Sequence, residues 1–163
     1  MIAQSLARRT VVVDSNLLLL LVVGLWNPRA IAVHKRLSAH TYADFLELSR
    51  FLSSFHTVVT TAHVLAEVSN LAGFATGATR EAILLQLASV IKTLDERAIP
   101  ATVVSSQPEF KVFGITDAAL SLLCADMLLL TEDGRLARHL QLRGFSAWTL
   151  DQVKMLKNRE NSH

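Results

Sequence analysis

The sequence predicts an α/β fold, a mainly parallel sheet covered by helices on both faces, and two observations predict it. Short apolar or β-branched runs alternate with stretches of helical pattern along the chain, the order expected of repeated strand-helix units. The 163 residues are 51% hydrophobic and only 18% charged, enough to build the core of one domain and too apolar for a disordered chain.

Taken in order, Thr10 and the three valines after it form a first strand that passes into a turn at Asp14-Ser15-Asn16. Residues 17–25 are apolar on every face and predict a helix packed inside the molecule. That helix must break near Trp26-Asn27-Pro28, because Pro28 restricts the residue before it and cannot extend a preceding helix. A further helix or loop carries His34, Lys35 and Arg36. Thr41 caps a helix reaching about residue 55, with Asp44 as capping-box partner and Phe45, Leu48, Leu52 and Phe55 as its apolar stripe. Residues 56–61 form the second strand, followed by a helix through Glu67 and Leu71 and a loop at 73–77. Residues 79–97 predict a long amphipathic helix closed before Pro100, and 101–105 a third strand. Residues 108–114 are irregular, after which Thr116 is an N-cap for a helix through Cys124. Residues 127–130 are the fourth strand, 134–143 a helix stopped by Gly144, and 145–150 the fifth strand. The domain spans 1–153, and 154–163 reads as a polar tail with at most a frayed helix.

Sixteen Lys and Arg against fourteen Asp and Glu leave a net charge of +2, too small to establish a nucleic-acid partner. If several acids bind metal, the remaining surface is more basic than that figure. The single cysteine, Cys124, excludes an internal disulfide and fits a reducing compartment; its apolar neighbours favour a buried small side chain over a nucleophile. The apolar run 17–23 is too short to span a bilayer, which needs about 20 such residues. Arg8 and Arg9 before it imitate a signal peptide, without a small-residue cleavage site at a suitable distance. A cytoplasmic protein with no membrane partner is expected.

The chemistry lies in four acids. In an open parallel sheet the carboxyl ends of the strands share one rim, so residues distant in sequence can converge on one crevice. Asp14 follows three valines, and Asp133 lies just beyond an apolar run ending in Thr131. An ionised carboxylate beside a buried strand is costly without a cation or hydrogen bonds, although Asp14 can equally cap the helix that follows. Asp117, in the first turn of a helix, alone reads as a helix-start residue favoured by the macrodipole. Glu67 sits among apolar residues, sharing a helical face with His63 and Asn70, and suits an exposed stripe or a metal site. Asn16 and Thr131 can orient a carboxylate or metal-bound water, or act as ordinary caps. Glu132 could be a ligand in place of Asp133, but an adjacent residue normally points elsewhere, and solvent is expected. Four clustered carboxylates repel one another unless divalent cations relieve them, and all-oxygen ligation suits Mg²⁺ or Mn²⁺ rather than zinc. Two such ions about 4 Å apart can activate a water and clamp a phosphodiester in line.

The apolar strand ending in Asp14-Ser15-Asn16, the helical Glu67 after Val58-Val59-Thr60-Thr61, Thr116-Asp117 opening a helix, and the strand leading to Thr131-Glu132-Asp133 together resemble a PIN domain. The resemblance spans about residues 11–150 and is nearest to the single-domain, VapC-like ribonuclease toxins of type II toxin-antitoxin pairs. It implies a three-layer α/β/α sandwich with a central five-stranded sheet and a Mg²⁺- or Mn²⁺-dependent endoribonuclease. Asp14, Glu67, Asp117 and Asp133 match the family's catalytic and metal-binding acids, and Asn16 and Thr131 its auxiliary polar positions. It also implies an RNA substrate, a cognate antitoxin protein and a homodimer. The stretch 26–55 is longer than in the most compact members. On the helix after Asp133, Arg135, Arg138 and His139 share one face and are candidates for RNA phosphate contacts, with Lys35 and Arg36 as further ones. A solvated basic face is the plainer account of them, and no aromatic RNA platform is visible.

Three other readings compete. A haloacid-dehalogenase-like phosphatase also begins with an apolar strand ending in Asp, but needs a second Asp where this chain has Asn16. A receiver-type phosphoacceptor needs an Asp after the third strand, read here as ending in Ser105-Ser106. A non-catalytic domain of the same fold would use its acidic rim to bind a protein or RNA.

Overall fold

Three consecutive valines offer no polar face to water, and the chain places them at the centre of a sheet. A computed structural model describes residues 10–162, so Arg8 and Arg9 lie outside the described residues. The strands are β1 (Thr10–Val13), β2 (Thr57–Thr60), β3 (Asp95–Glu96), β4 (Leu128–Thr131) and β5 (Ala147–Thr149). They form one five-stranded sheet in the order β3-β2-β1-β4-β5, with every pairing parallel. Val11, Val12 and Val13 are fully buried, in register with Leu128, Leu129 and Leu130 of β4.

The helices are α1 (Ser15–Trp26), α2 (Tyr42–Ser53), α3 (Ala62–Ala72), α4 (Gly77–Ile91), α5 (Ala101–Ser105), α6 (Phe110–Phe113), α7 (Ile115–Leu123), α8 (Gly134–Leu142) and α9 (Leu150–Glu160). With the sheet they make a three-layer α/β/α sandwich. Helix α1 is buried almost all round, as its uniform apolarity requires, and packs against α2, α3 and α4. Its Gly24 permits the contact with α2: a Cβ there would fall 2.2 Å from the Phe45 ring. The chain leaves α1 at Asn27, and Pro28 opens a short 3-10 turn, Pro28–Ala30. A second such turn, Lys35–Leu37, carries the basic pair Lys35 and Arg36. The capping box at the start of α2 forms as its sequence requires, the Thr41 hydroxyl accepting from Asp44 N–H and the Asp44 carboxylate accepting from Thr41 N–H. No helix among the described residues is long and apolar enough to cross a membrane.

Five local expectations are corrected. Residues 101–105 are helix α5, not the third strand: after Pro100, Val104 turns inward against Ala118 and Ala119 while Val103 is exposed. The third strand is the charged pair Asp95–Glu96, which joins Val59 and Thr60 at the sheet edge. Short, charged edge strands resist pairing with other chains, and they leave no apolar run to read. Accordingly α4 ends at Ile91 rather than reaching residue 97. Thr116 is not the cap of α7; Gly114 holds that place with φ +87°, and no side chain caps the helix. Residues 108–114 contain one helical turn, α6. Finally, the chain does not fray at 154: α9 runs unbroken to Glu160, started by a Thr149-Gln152 capping box. Lys154 and Lys157 tie it to Asp44 and Glu47 of α2.

The strand order reverses direction between β1 and β4, so the crevice outside their carboxyl ends is the topological switch point of the sheet. Asp14 follows β1 there, and Glu132 and Asp133 follow β4.

Candidate functional site

At that switch point Asp14, Ser15, Asn16, Glu67, Asp117, Glu132 and Asp133 line one cavity of about 210 Å³. Each arrives by a separate route. Asp14 follows β1 and caps α1; Glu67 lies in the second turn of α3; Asp117 lies in the first turn of α7; Asp133 follows β4 and caps α8.

Asp14 is the most constrained of them. Its Oδ1 accepts from Leu17 N–H at 2.9 Å, while Oδ2 accepts from the Thr131 hydroxyl and the Glu132 N–H, each at 2.6 Å. Its own N–H continues the sheet ladder to Leu130 O at 3.0 Å. Thr131, fully buried, also accepts from Asp133 N–H at 3.0 Å, so one hydroxyl links two of the acids. Asp133 spends Oδ1 on the Arg135 and Leu136 N–H groups, at 2.8 and 3.1 Å. Capping and membership of the cavity therefore coexist at Asp14 and at Asp133.

The electrostatics are uncompensated. Burial raises the Asp14 carboxyl to about 6, against the three hydrogen bonds that lower it. Burial, then the nearby charges of Asp14, Asp133 and Glu67, push Asp117 up to about 7. Among the described residues, no Lys, Arg or His pairs with Asp14, Glu67, Asp117 or Asp133. Two further oxygens, Ser15 Oγ and Asn16 Oδ1, are buried without a hydrogen-bond partner among the described residues.

This donor set, carboxylates with an amide and a hydroxyl oxygen, fits a hard divalent cation by its chemistry. The side chains are not drawn up around one: among the described residues, no group of three or more His, Cys, Asp and Glu stands ready to hold a metal ion.

Glu132 does not face solvent as the sequence suggested. Its side chain lines the cavity, and its carboxylate pairs with His40 Nε2. Neither His40 nor Ser15 was legible as part of the site. His40 sits far away in sequence beside a capping box, and Ser15 lies between Asp14 and Asn16 with only a small hydroxyl to mark it. Arg135 and Arg138 are exposed on α8 beside Asp133 but do not line the cavity; the Arg135 guanidinium lies 5.8 Å over the Phe113 ring. His139 is not available for phosphate, since its Nε2 meets the buried Glu109 carboxylate at 3.0 Å, which Arg143 also contacts. Arg36 instead lies over the Phe74 ring, and Lys35 is exposed. Cys124 is buried and donates to Ser146 O, and burial pushes its thiol up to about 11, outside nucleophilic use.

No family model, curated protein or solved structure matches this chain.

Proposed function

We propose that this protein is a Mg²⁺- or Mn²⁺-dependent endoribonuclease of the PIN type, hydrolysing RNA phosphodiesters to leave a 5′-phosphate and a 3′-hydroxyl. One observation carries the reading: four carboxylates from four separate elements line one cavity at the sheet's switch point, and no cationic side chain among the described residues neutralises them.

Asp14, Glu67, Asp117 and Asp133 are the residues that would hold the metal. When bound, a divalent ion supplies the positive charge that polarises a phosphodiester and activates the attacking water. The protein's own part is positioning. Asp14 is fixed by three donors, and Thr131 couples it to Asp133. Glu67 and Asp117 make no side-chain hydrogen bond among the described residues, so they are free to close on a cation. Asn16 offers an unpartnered amide oxygen to water or metal. Arg135 and Arg138, exposed on the first turns of α8, suit the phosphates flanking the scissile bond. The toxin role, with its antitoxin and homodimer, is carried by the family resemblance alone.

The test is cleavage of single-stranded RNA with Mn²⁺, with Mg²⁺ and with chelator, followed by sequencing of the fragment ends. Cleavage is expected with either metal, is abolished by chelator, and falls by about 100-fold or more in Asp14→Asn and in Glu67→Gln. Glu67→Gln guards against misfolding, because it removes charge without removing a hydrogen bond seen in the fold. Metal-independent cutting, or undiminished cutting by both variants, would overturn the proposal.

A further inference from the structure

Glu132 is a fifth carboxylate on the wall of a cavity that already holds four. Its backbone is fixed, because its N–H donates to Asp14 Oδ2 at 2.6 Å. Among the described residues its side chain has one charged partner: Oε1 forms an ion pair with His40 Nε2, in charge-pair rather than hydrogen-bond geometry. His40 comes from the short segment between the Lys35–Leu37 turn and α2, and its side chain is only 9% exposed. Behind it, Asp44 Oδ2 stands 3.8 Å from His40 Nδ1, and Lys154 of α9 pairs with Asp44 Oδ1. Charges thus alternate from the cavity wall outward, Glu132, His40, Asp44, Lys154, with Glu132 facing the site and the imidazole directly behind it.

We infer that His40 is a positioning residue that holds the Glu132 carboxylate away from the acidic quartet, so that a divalent ion is gripped by four carboxylates and not five. The inference rests on the metal-dependent reading of the same cavity. Ligand charge count and site rigidity set the affinity of oxygen sites for hard cations. A fifth carboxylate would tighten the grip and compete with phosphate and water for the ion. The stretch that carries His40, within 26–55, thereby acquires a purpose at the site: it brings an imidazole to the β4 end of the sheet from a segment that contributes no carboxylate to the cavity.

The experiment titrates Mn²⁺ into the full-length protein, following free Mn²⁺ by electron paramagnetic resonance, for wild type, His40→Ala, His40→Gln, Glu132→Gln and the double variant His40→Ala/Glu132→Gln. His40→Ala is expected to bind Mn²⁺ about tenfold tighter with an altered bound-metal spectrum, and to turn over RNA more slowly at saturating substrate. His40→Gln, whose amide can reach and donate to Glu132, is expected to keep wild-type affinity and shows that the change is not misfolding. The double variant returns to wild-type affinity, because the released carboxylate is gone. Unchanged Mn²⁺ affinity in His40→Ala overturns the inference, as does a tightening that persists in the double variant. Weakened binding in Glu132→Gln alone also overturns it, by making Glu132 a ligand in the native protein. Absence of Mn²⁺ binding by the wild type is a different failure, since it removes the metal-dependent function itself before any variant is compared.

Discussion

Asp14 accepts three hydrogen bonds and still titrates near 6, because burial outweighs them. Asp117 lacks such donors and lies higher, at about 7, against a reference value of 3.8. A carboxyl whose folded value is raised holds its proton more tightly in the native state. Its contribution to stability is complete below pH 3.8 and is lost as pH rises through about 7. Above that, the metal-free cavity carries charge the fold has to bear. After allowance for screening at a half-buried group, that cost is on the order of 2 kcal/mol, or roughly 4–8 °C in Tm. Asp117→Asn is therefore expected to melt several degrees above wild type at pH 8 in chelator, and to match it at pH 4. Equal melting temperatures at both pH values would show that the neighbouring acids do not burden this site. The sequence made three of these acids legible because each sits where a strand ends or a helix begins, and Glu67 because it is a lone acid among apolar neighbours. It did not make Glu132 and His40 legible, since a pair joining distant segments leaves no local trace.

At the scale of elements, α2 and α9 are clasped by ions. Asp44 and Glu47 on one face of α2 meet Lys154 and Lys157 of α9. Burial raises the Asp44 carboxyl, but the Lys154 ammonium and the Thr41 N–H and O–H outweigh it, and the net value lies below 3.8. The sign is opposite to that of Asp117: this contribution is present above pH 3.8 and is lost as pH falls through the folded value. Urea denaturation at pH 7, 5 and 3 should show wild type losing stability in the acid step. Asp44→Asn should be less stable by about 1–2 kcal/mol at pH 7 and lose less on acidification. Parallel losses in the two proteins would place the acid sensitivity elsewhere. The capping box at Thr41 was readable because both partners lie within one turn. Helix α9 was not, because its face is fixed by partners on α2 and its own residues are mostly polar. The third strand failed to show for a related reason: Asp95 and Glu96 are strand only because β2 is beside them, whereas the β-branched run at 101–105 is helix after Pro100.

At the scale of the molecule, the alternation of elements gave away the fold class, and the rim rule brought the four acids to one side of it. The strand order was not legible: nothing local says that β1 lies between β2 and β4. That order decides the site, because it puts the end of β1 beside the end of β4 and makes the cavity a seam between the two halves of the sheet. The order also differs from the 2-1-3-4-5 arrangement of flavodoxin-like sheets, which weakens the receiver-type alternative more than Ser105-Ser106 did, since that pair ends a helix.

The lacing of Asp14 to β4 has a mechanical consequence. The Asp14 amide reaches Leu130, and the Glu132 amide reaches back to Asp14, so the floor under the acids is stitched into the ladder. Such amides open only when the sheet itself comes apart. In native-state hydrogen exchange they should be among the slowest, tracking global unfolding; fast exchange at both would mean the stitch is loose. Whatever adjustment admits an ion must then come from the walls, by rotation of Glu67 and Asp117 on their helices, over a base that does not give.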